Sequence, residues 1–149
     1  MKITIKITGE RLTKQLAEWK ASKLDNLTPA MEKLGNYQVN QIQLGFRGGV
    51  SPYGDAWAPL SWRKGGQPLR DTKVLQNSIN YAARDNRVSI GTNTSYAKMH
   101  QFGGIAGEGS WSPGSIIPAR PFIPTAGYPK NWENRTRKIL VDHLKGVGV

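Results

Sequence analysis

The side chains able to do chemistry are few and poorly spaced for it. The chain has two histidines, His100 and His143, and no cysteine. A zinc site would therefore need several carboxylates at ligand spacing. Asp55, Asp71 and Asp85 sit instead in turn-rich sequence, where a short carboxylate commonly caps its own backbone. His100 has Tyr96 and Gln101 close by in sequence, but no Gly-x-Ser-x-Gly elbow or local acid completes a nucleophilic triad. A structural histidine, bonded to backbone or to a neighbour, is the expectation. Gly103, Gly104, Gly107 and Gly109 lack the Lys-Ser/Thr that follows in a phosphate-binding loop and do not open a helix as a dinucleotide fingerprint does. No catalytic, cofactor-binding or metal-ligating residue is assigned, no cofactor is expected, and the expected protein is not an enzyme. One cation stands apart. Arg120 lies between Ala119 and Pro121, with Pro118 two residues earlier, in backbone that the prolines keep out of helix. Its planar fork of donors is expected to bridge backbone carbonyls or a carboxylate, within a subunit or across a subunit boundary.

The elements around Arg120 follow from the stretch 96–123. Tyr96 to Phe102 suits a helical turn capped by Asn93, Thr94 or Ser95, and Gly103-Gly104 stops it. A Gly/Ser/Pro-rich excursion with Trp111 at its middle follows, expected to be mobile in a free subunit. The return, Ile116 to Ile123, is extended. Because Pro118 and Pro121 cannot donate ladder hydrogen bonds, it can join a sheet only at an edge.

These residues also carry a resemblance. "YAKMHQFGG" at Tyr96–Gly104, a variable loop, and "IPARPFI" at Ile117–Ile123 resemble the core signature of the virion-morphogenesis, or tail-completion, family of Mu-like and P2-like tailed phages. Upstream, Pro52-Tyr53-Gly54-Asp55-Ala56-Trp57-Ala58-Pro59-Leu60 resembles that family's "dPyG..W.pL" segment, and Leu69 to Ile79 its "L..TG.L..SI" segment, in the family's order. Lys73 stands where the family usually has glycine. The resemblance covers about Pro52 to Ile123 and marks Tyr96, His100, Gln101, Phe102, Gly103, Pro118 and Pro121 as structural signature. It implies a structural virion part of the neck or tail-completion type, joining head connector and tail, and by analogy a homo-oligomeric ring, with a hexamer the best estimate. The implied location is the head–tail interface of the virion, after assembly in the host cytoplasm.

Composition sets the outer limits. At 149 residues the chain suits one domain, 1–149, able to bury roughly two-thirds of its unfolded surface. Hydrophobic residues make up 38% and mean hydropathy is −0.51, and no apolar run approaches the roughly 20 residues that span a bilayer, so no membrane partner is expected. Met1 to Ile7 alternates instead of forming a signal-peptide core. The anomaly is charge. Lys+Arg 21 against Asp+Glu 10 gives +11, enough to attract nucleic acid or an acidic protein surface. The cations are dispersed, densest at Arg135, Arg137 and Lys138, so contact with DNA stays open as a partner.

The remaining chain fills in an α+β fold. Ile3, Ile5 and Ile7 alternate as a strand with one buried face. Leu12, Leu16, Trp19, Lys23 and Leu27 recur at helical spacing, the Lys23 stem lying along the apolar stripe, and a second helix begins at Thr28-Pro29, presents Met31, Leu34, Val39, Ile42 and Phe46 on one arc, and stops at Gly48-Gly49. Residues 47–72 form an aperiodic loop in which Tyr53, Trp57 and Trp62 either staple the loop to the body or dock on a neighbouring subunit. A short helix through Val74 to Ile79, capped by Asp71 or Thr72, leads to a hairpin, Ile79–Arg84 and Arg87–Gly91, turned at Asp85-Asn86. A C-terminal helix around Trp132–Leu144 closes the chain. The expected architecture is a small mixed or antiparallel sheet with two N-terminal helices on one face, the C-terminal helix near an edge, and two long loops ordered on assembly. Tyr53, Trp57, Trp62, Trp111, Arg120 and Phe122 are the residues expected at a subunit or partner interface. The partners implied are other neck, connector and tail proteins. The alternatives are a basic nucleic-acid-binding accessory and a capsid-assembly factor.

Overall fold

The computed structural model describes residues 1–5, 27–61, 63, 65–84, 86–110 and 112–146. The helix expected over Leu12–Leu27, save Leu27 itself, and Ile7, Trp62, Asp85 and Trp111 lie outside the described residues.

The longest element is helix α1, Thr28–Gly48. Its buried face runs Ala30, Met31, Leu34, Gln38, Ile42 and Phe46, the spacing that gives one apolar stripe along a 3.6-residue repeat. Val39, expected on that arc, is only half-buried, and Gln38 is wholly buried in its place. The N-cap also falls one residue earlier than expected. Leu27 is the N-cap and its carbonyl accepts from the Met31 N–H at 2.9 Å, so Thr28 is already helical and Pro29 falls in the first turn. At the other end Gly49 adopts φ 68°, the left-handed closure that glycine allows, and its N–H donates to Gly45 O.

Alternation organises the sheet. Strands β1 (Lys2–Ile5), β2 (Asn80–Arg84) and β3 (Arg87–Gly91) form an antiparallel sheet in the order β1-β3-β2. Ile3 and Tyr81 both pair with Ile90, and Arg84 pairs with Arg87 at the closed end of the β2–β3 hairpin. Val88 and Ile90 are buried under α1, which packs on β2 and β3. The approach is close at Gly35, where a Cβ would stand 2.2 Å from the Tyr81 ring. The last helix, α4 (Lys130–Leu144), packs against α1 and not at a sheet edge. Trp132 carries the contact, set edge-on to Tyr37 and Tyr128 at 6.4 and 6.1 Å.

The intervening chain is held in short pieces: α2 (Val74–Asn77) before the hairpin, and α3 (Ala97–Phe102), β4 (Gly104–Ile105) and β5 (Ile116–Ile117) between the hairpin and α4. Here the extended return departs from expectation. It does not join the main sheet but pairs antiparallel with β4, Gly104 opposite Ile117 and Ile105 opposite Ile116. The excursion is tied to itself, since Ala106 N–H donates to Ser115 O at 2.9 Å and Gly114 N–H to Ala106 O at 2.8 Å. The reason is local. Two residues of β5 precede Pro118 and keep their donors, and the glycines leaving α3 bring a free backbone edge alongside them.

The 47–72 loop is likewise bonded within the subunit. Val50 bridges Ala56, Trp57 N–H donates to Gly49 O at 2.8 Å, and Gln67 Nε2 donates to Arg47 O. Neither loop needs a second chain to close these bonds.

At α2 the cap is unusual. Neither Asp71 nor Thr72 is the N-cap. Lys73 is, at φ 58° and ψ 7°, and it makes no side-chain cap bond. A left-handed backbone costs an L-residue about 1–2 kcal/mol, and glycine returns part of that through its greater freedom when unfolded. Lys73→Gly is therefore expected to raise stability by roughly 0.5–1 kcal/mol. Urea unfolding checks it, and a lower midpoint in the variant would contradict the strain.

Candidate functional site

The signature residues meet at a junction of three segments. Gln101 of α3 is buried, 1% exposed, and its carboxamide makes three hydrogen bonds: Nε2 donates to Ile123 O at 2.8 Å, while Oε1 accepts from Phe122 N–H at 3.0 Å and Ile123 N–H at 3.1 Å. One residue earlier in the helix, His100 O accepts from Arg120 N–H at 2.7 Å. The short helix thus holds the 120–123 segment as a strand would, with a side chain replacing the backbone ladder that proline forbids.

Arg120 carries the junction to the third segment. Its guanidinium is buried, 5% exposed, and donates from Nε to Ala58 O at 2.8 Å and from Nη2 to Pro59 O at 3.1 Å. Two successive carbonyls of the 57–59 loop are thereby held by one planar fork. Trp57 closes the same loop from the other side, its Nε1–H donating to Pro121 O at 2.8 Å. Its ring stands edge-on to Phe46 at 5.4 Å, and Phe46 tilts against Phe122 at 5.5 Å. Trp57 and Phe122 are spent inside the subunit's own core, which leaves no ring face for a neighbour and corrects their placement at a surface. Tyr53 is more exposed, yet its hydroxyl donates to Gly127 O at 3.0 Å and accepts from Ala126 N–H at 2.8 Å, tying the loop to the chain just before α4.

Gly103 shows why glycine follows α3. At φ 74°, a Cβ there would stand 2.9 Å from Ala119 N and Ile117 O. Pro118 is exposed, and Pro121 contributes the carbonyl that Trp57 uses. Tyr96, not a residue of 93–95, is the N-cap of α3, without a side-chain cap bond, and stands edge-on to His100 at 5.6 Å. His100 Nδ1 is buried and has no hydrogen-bond partner among the described residues. Burial, with the Arg120 charge beside it, holds the imidazole below the ordinary histidine range, so it is neutral at physiological pH. Burial also lowers the Arg120 guanidinium from its ordinary value.

The model of the phage virion morphogenesis family matches residues 7–145. "Mu-like prophage FluMu G protein 2" of Haemophilus influenzae is 35% identical over 121 residues, 81% of this chain and 83% of that protein. The chain belongs to the phage virion morphogenesis family. No solved structure matches it. Membership gives it a structural part in building the phage particle. Among the described residues no helix is long and apolar enough to cross a membrane, and no three His, Asp or Glu side chains cluster as metal ligands.

Within this virion morphogenesis chain, sequence reading missed a second set of buried polar residues. Gln38 Nε2 donates to Tyr128 Oη at 3.2 Å, and the Tyr128 hydroxyl shares a hydrogen bond with Thr136, linking α1 to α4. Gln43 Nε2 donates to Gln76 O at 2.7 Å while Gln76 Nε2 donates to Gln43 Oε1 at 2.8 Å, fixing α2 on α1. The signal was present for Gln38. It lies on the apolar arc, four residues from both Leu34 and Ile42, where a polar side chain needs a buried partner.

Proposed function

We propose that this chain is a neck or tail-completion protein that forms a ring, a hexamer by family analogy, joining the head connector to the tail. One observation carries the reading. Phe102, Ile105 and Ile116 are 54%, 67% and 83% exposed. The two isoleucines are direct cross-strand partners in the β4–β5 ribbon, so their side chains share a face. Large aliphatic side chains grouped on one projecting ribbon mark a surface that another protein covers. The junction lies beside the ribbon, where Gln101 and Arg120 tie the segment after β5 to α3 and to the 57–59 loop. Head-to-tail contacts between copies close into a ring when the rotation allows.

The rival, a nucleic-acid accessory, has its own observation: Arg135, Arg137 and Lys138 are exposed on α4, although Lys138 also meets Asp142 at 3.4 Å. Two measurements separate them. Epitope-labelled protein in purified particles is expected at the head–tail boundary by electron microscopy, and label found elsewhere, or absent from finished particles, would remove the neck assignment. Micromolar binding to nonspecific duplex with a steep salt slope at physiological salt would favour the accessory.

A further inference from the structure

A cleft of about 220 Å³ opens between α2, α3 and the loop that Arg120 anchors. Its apolar walls are Leu60, Leu69, Val74 and Tyr96, with Val74 and Tyr96 exposed at the rim. Its charged lining is unbalanced. Arg63, Lys73 and Arg120 face a single carboxylate, Asp71, and that carboxylate is already bound to Arg63 at 2.5 Å. Lys73 is exposed and makes no ion pair among the described residues. Arg120 uses Nε and Nη2 on carbonyls, and its Nη1 makes no hydrogen bond among the described residues. The His100 imidazole, with its unpartnered Nδ1, forms part of the same wall.

We propose that this cleft receives an acidic side chain, with an apolar neighbour, from an extended segment of a partner protein. The carboxylate would meet Lys73 and the open edge of Arg120, and the apolar residue would lie on Val74 and Tyr96. Charge complementarity argues for this occupant: three cations line the cleft with one carboxylate that Arg63 already holds, and with Asp+Glu 10 against Lys+Arg 21 the chain is itself a poor source of acidic segments. The backbone is arranged for it at a cost. The positive-φ non-glycine residues among those described are Leu69 and Lys73, at φ 60° and 58°, and both line the cleft. Strained backbone of this kind persists where a site needs a side chain held in place. Glycine at position 73 would fold more easily but carry no ammonium. The proposal deepens the structural reading by naming the chemistry of one partner, and rests on that reading only for the partner being a virion protein.

The test uses the full-length protein and two blocked peptides, acetyl-Gly-Leu-Glu-Ile-Gly-amide and its Gln counterpart, followed by the amide resonances of the ¹⁵N-labelled chain. Only the Glu peptide is expected to shift signals of residues 73–75, 96–100 and 120. Lys73→Glu should weaken that binding about tenfold, the loss of one charge-assisted contact. Lys73→Gly should weaken it too while raising the unfolding midpoint, a combination that loss of structure does not produce. No shift with either peptide, or equal shifts with both, overturns the cleft as a carboxylate site. A short duplex that shifts the same signals at lower concentration than the Glu peptide overturns the protein partner in favour of phosphate. None of these readouts requires a ring to form, so a failed neck assignment and a failed cleft remain distinguishable.

Discussion

Gln101→Leu should destabilise the protein by about 3 kcal/mol or more, although leucine nearly conserves the volume. The wild-type carboxamide satisfies three buried backbone groups, Ile123 O and the N–H groups of Phe122 and Ile123. Each buried group left without a partner costs about 1–3 kcal/mol, a large share of the roughly 5–15 kcal/mol that holds a typical domain. The loss should be visible as a lower urea midpoint and as release of the 120–123 amides to hydrogen exchange. Gln101→Glu sharpens the test. Ionised, it still accepts the two N–H groups but sets a carboxylate against the Ile123 carbonyl. Protonated, its hydroxyl can donate to that carbonyl. Both burial and the facing carbonyl favour the neutral acid in the folded state. The folded form therefore holds the proton more tightly, and the Glu variant should approach wild-type stability as pH falls from neutral towards roughly 5, near the carboxylate range. A Leu variant within a few tenths of a kcal/mol of wild type would show that the latch is not used.

Arg120→Lys is expected to be nearly as damaging as Arg120→Ala. The guanidinium reaches two consecutive carbonyls, Ala58 O and Pro59 O, from a site only 5% exposed. A lysine ammonium at that depth keeps the charge but is a single point donor, more strongly hydrated, and cannot span both acceptors in one plane. Either variant should cost about 2–4 kcal/mol, from one or two carbonyls left unpaired and a charge-assisted pair lost. The 57–60 loop should then detach, carrying one wall of the cleft with it. The functional readout is complementation of a phage lacking this protein, counting tailed particles, with exposed Lys130→Ala as a control expected to do little. Normal yield from both Arg120 variants would sink the proposal, and a defect in Ala alone would reduce Arg120 to its charge.

The two variants act on opposite sides of one short segment, and their effects should not add. Gln101 and Arg120 both hold residues 120–123, so losing either frees much of what the other restrains, and the double variant should be less damaging than the sum. This coupling gives the Gln101 and Arg120 side chains a structural use. They replace a sheet that Pro118 and Pro121 prevent.

Sequence alone determined what depends on a few consecutive residues. Gly49 ends α1 because only a left-handed residue closes that turn. Arg84 pairs with Arg87 because two turn-tolerant residues separate alternating strands. Arg120 is limited to bridging carbonyls or a carboxylate because prolines hold it in extended backbone and its fork suits paired acceptors, and the tertiary structure supplies Ala58 O and Pro59 O. Tertiary structure decided which partner each capacity met. Trp57 could have docked on another chain, and lies instead against Phe46 with its N–H on Pro121 O, because α1 ends just before the loop and brings Phe46 beneath it. The 116–117 strand could have joined the main sheet, and pairs with Gly104–Ile105 because α3 delivers that edge first. Gln101 carried no sequence signal of its own as a latch. Its three bonds exist only once residues 122 and 123, more than twenty positions away, have been brought alongside α3. Donor capacity and backbone restriction are local properties, whereas pairing depends on which distant segments packing places within about 3 Å of one another.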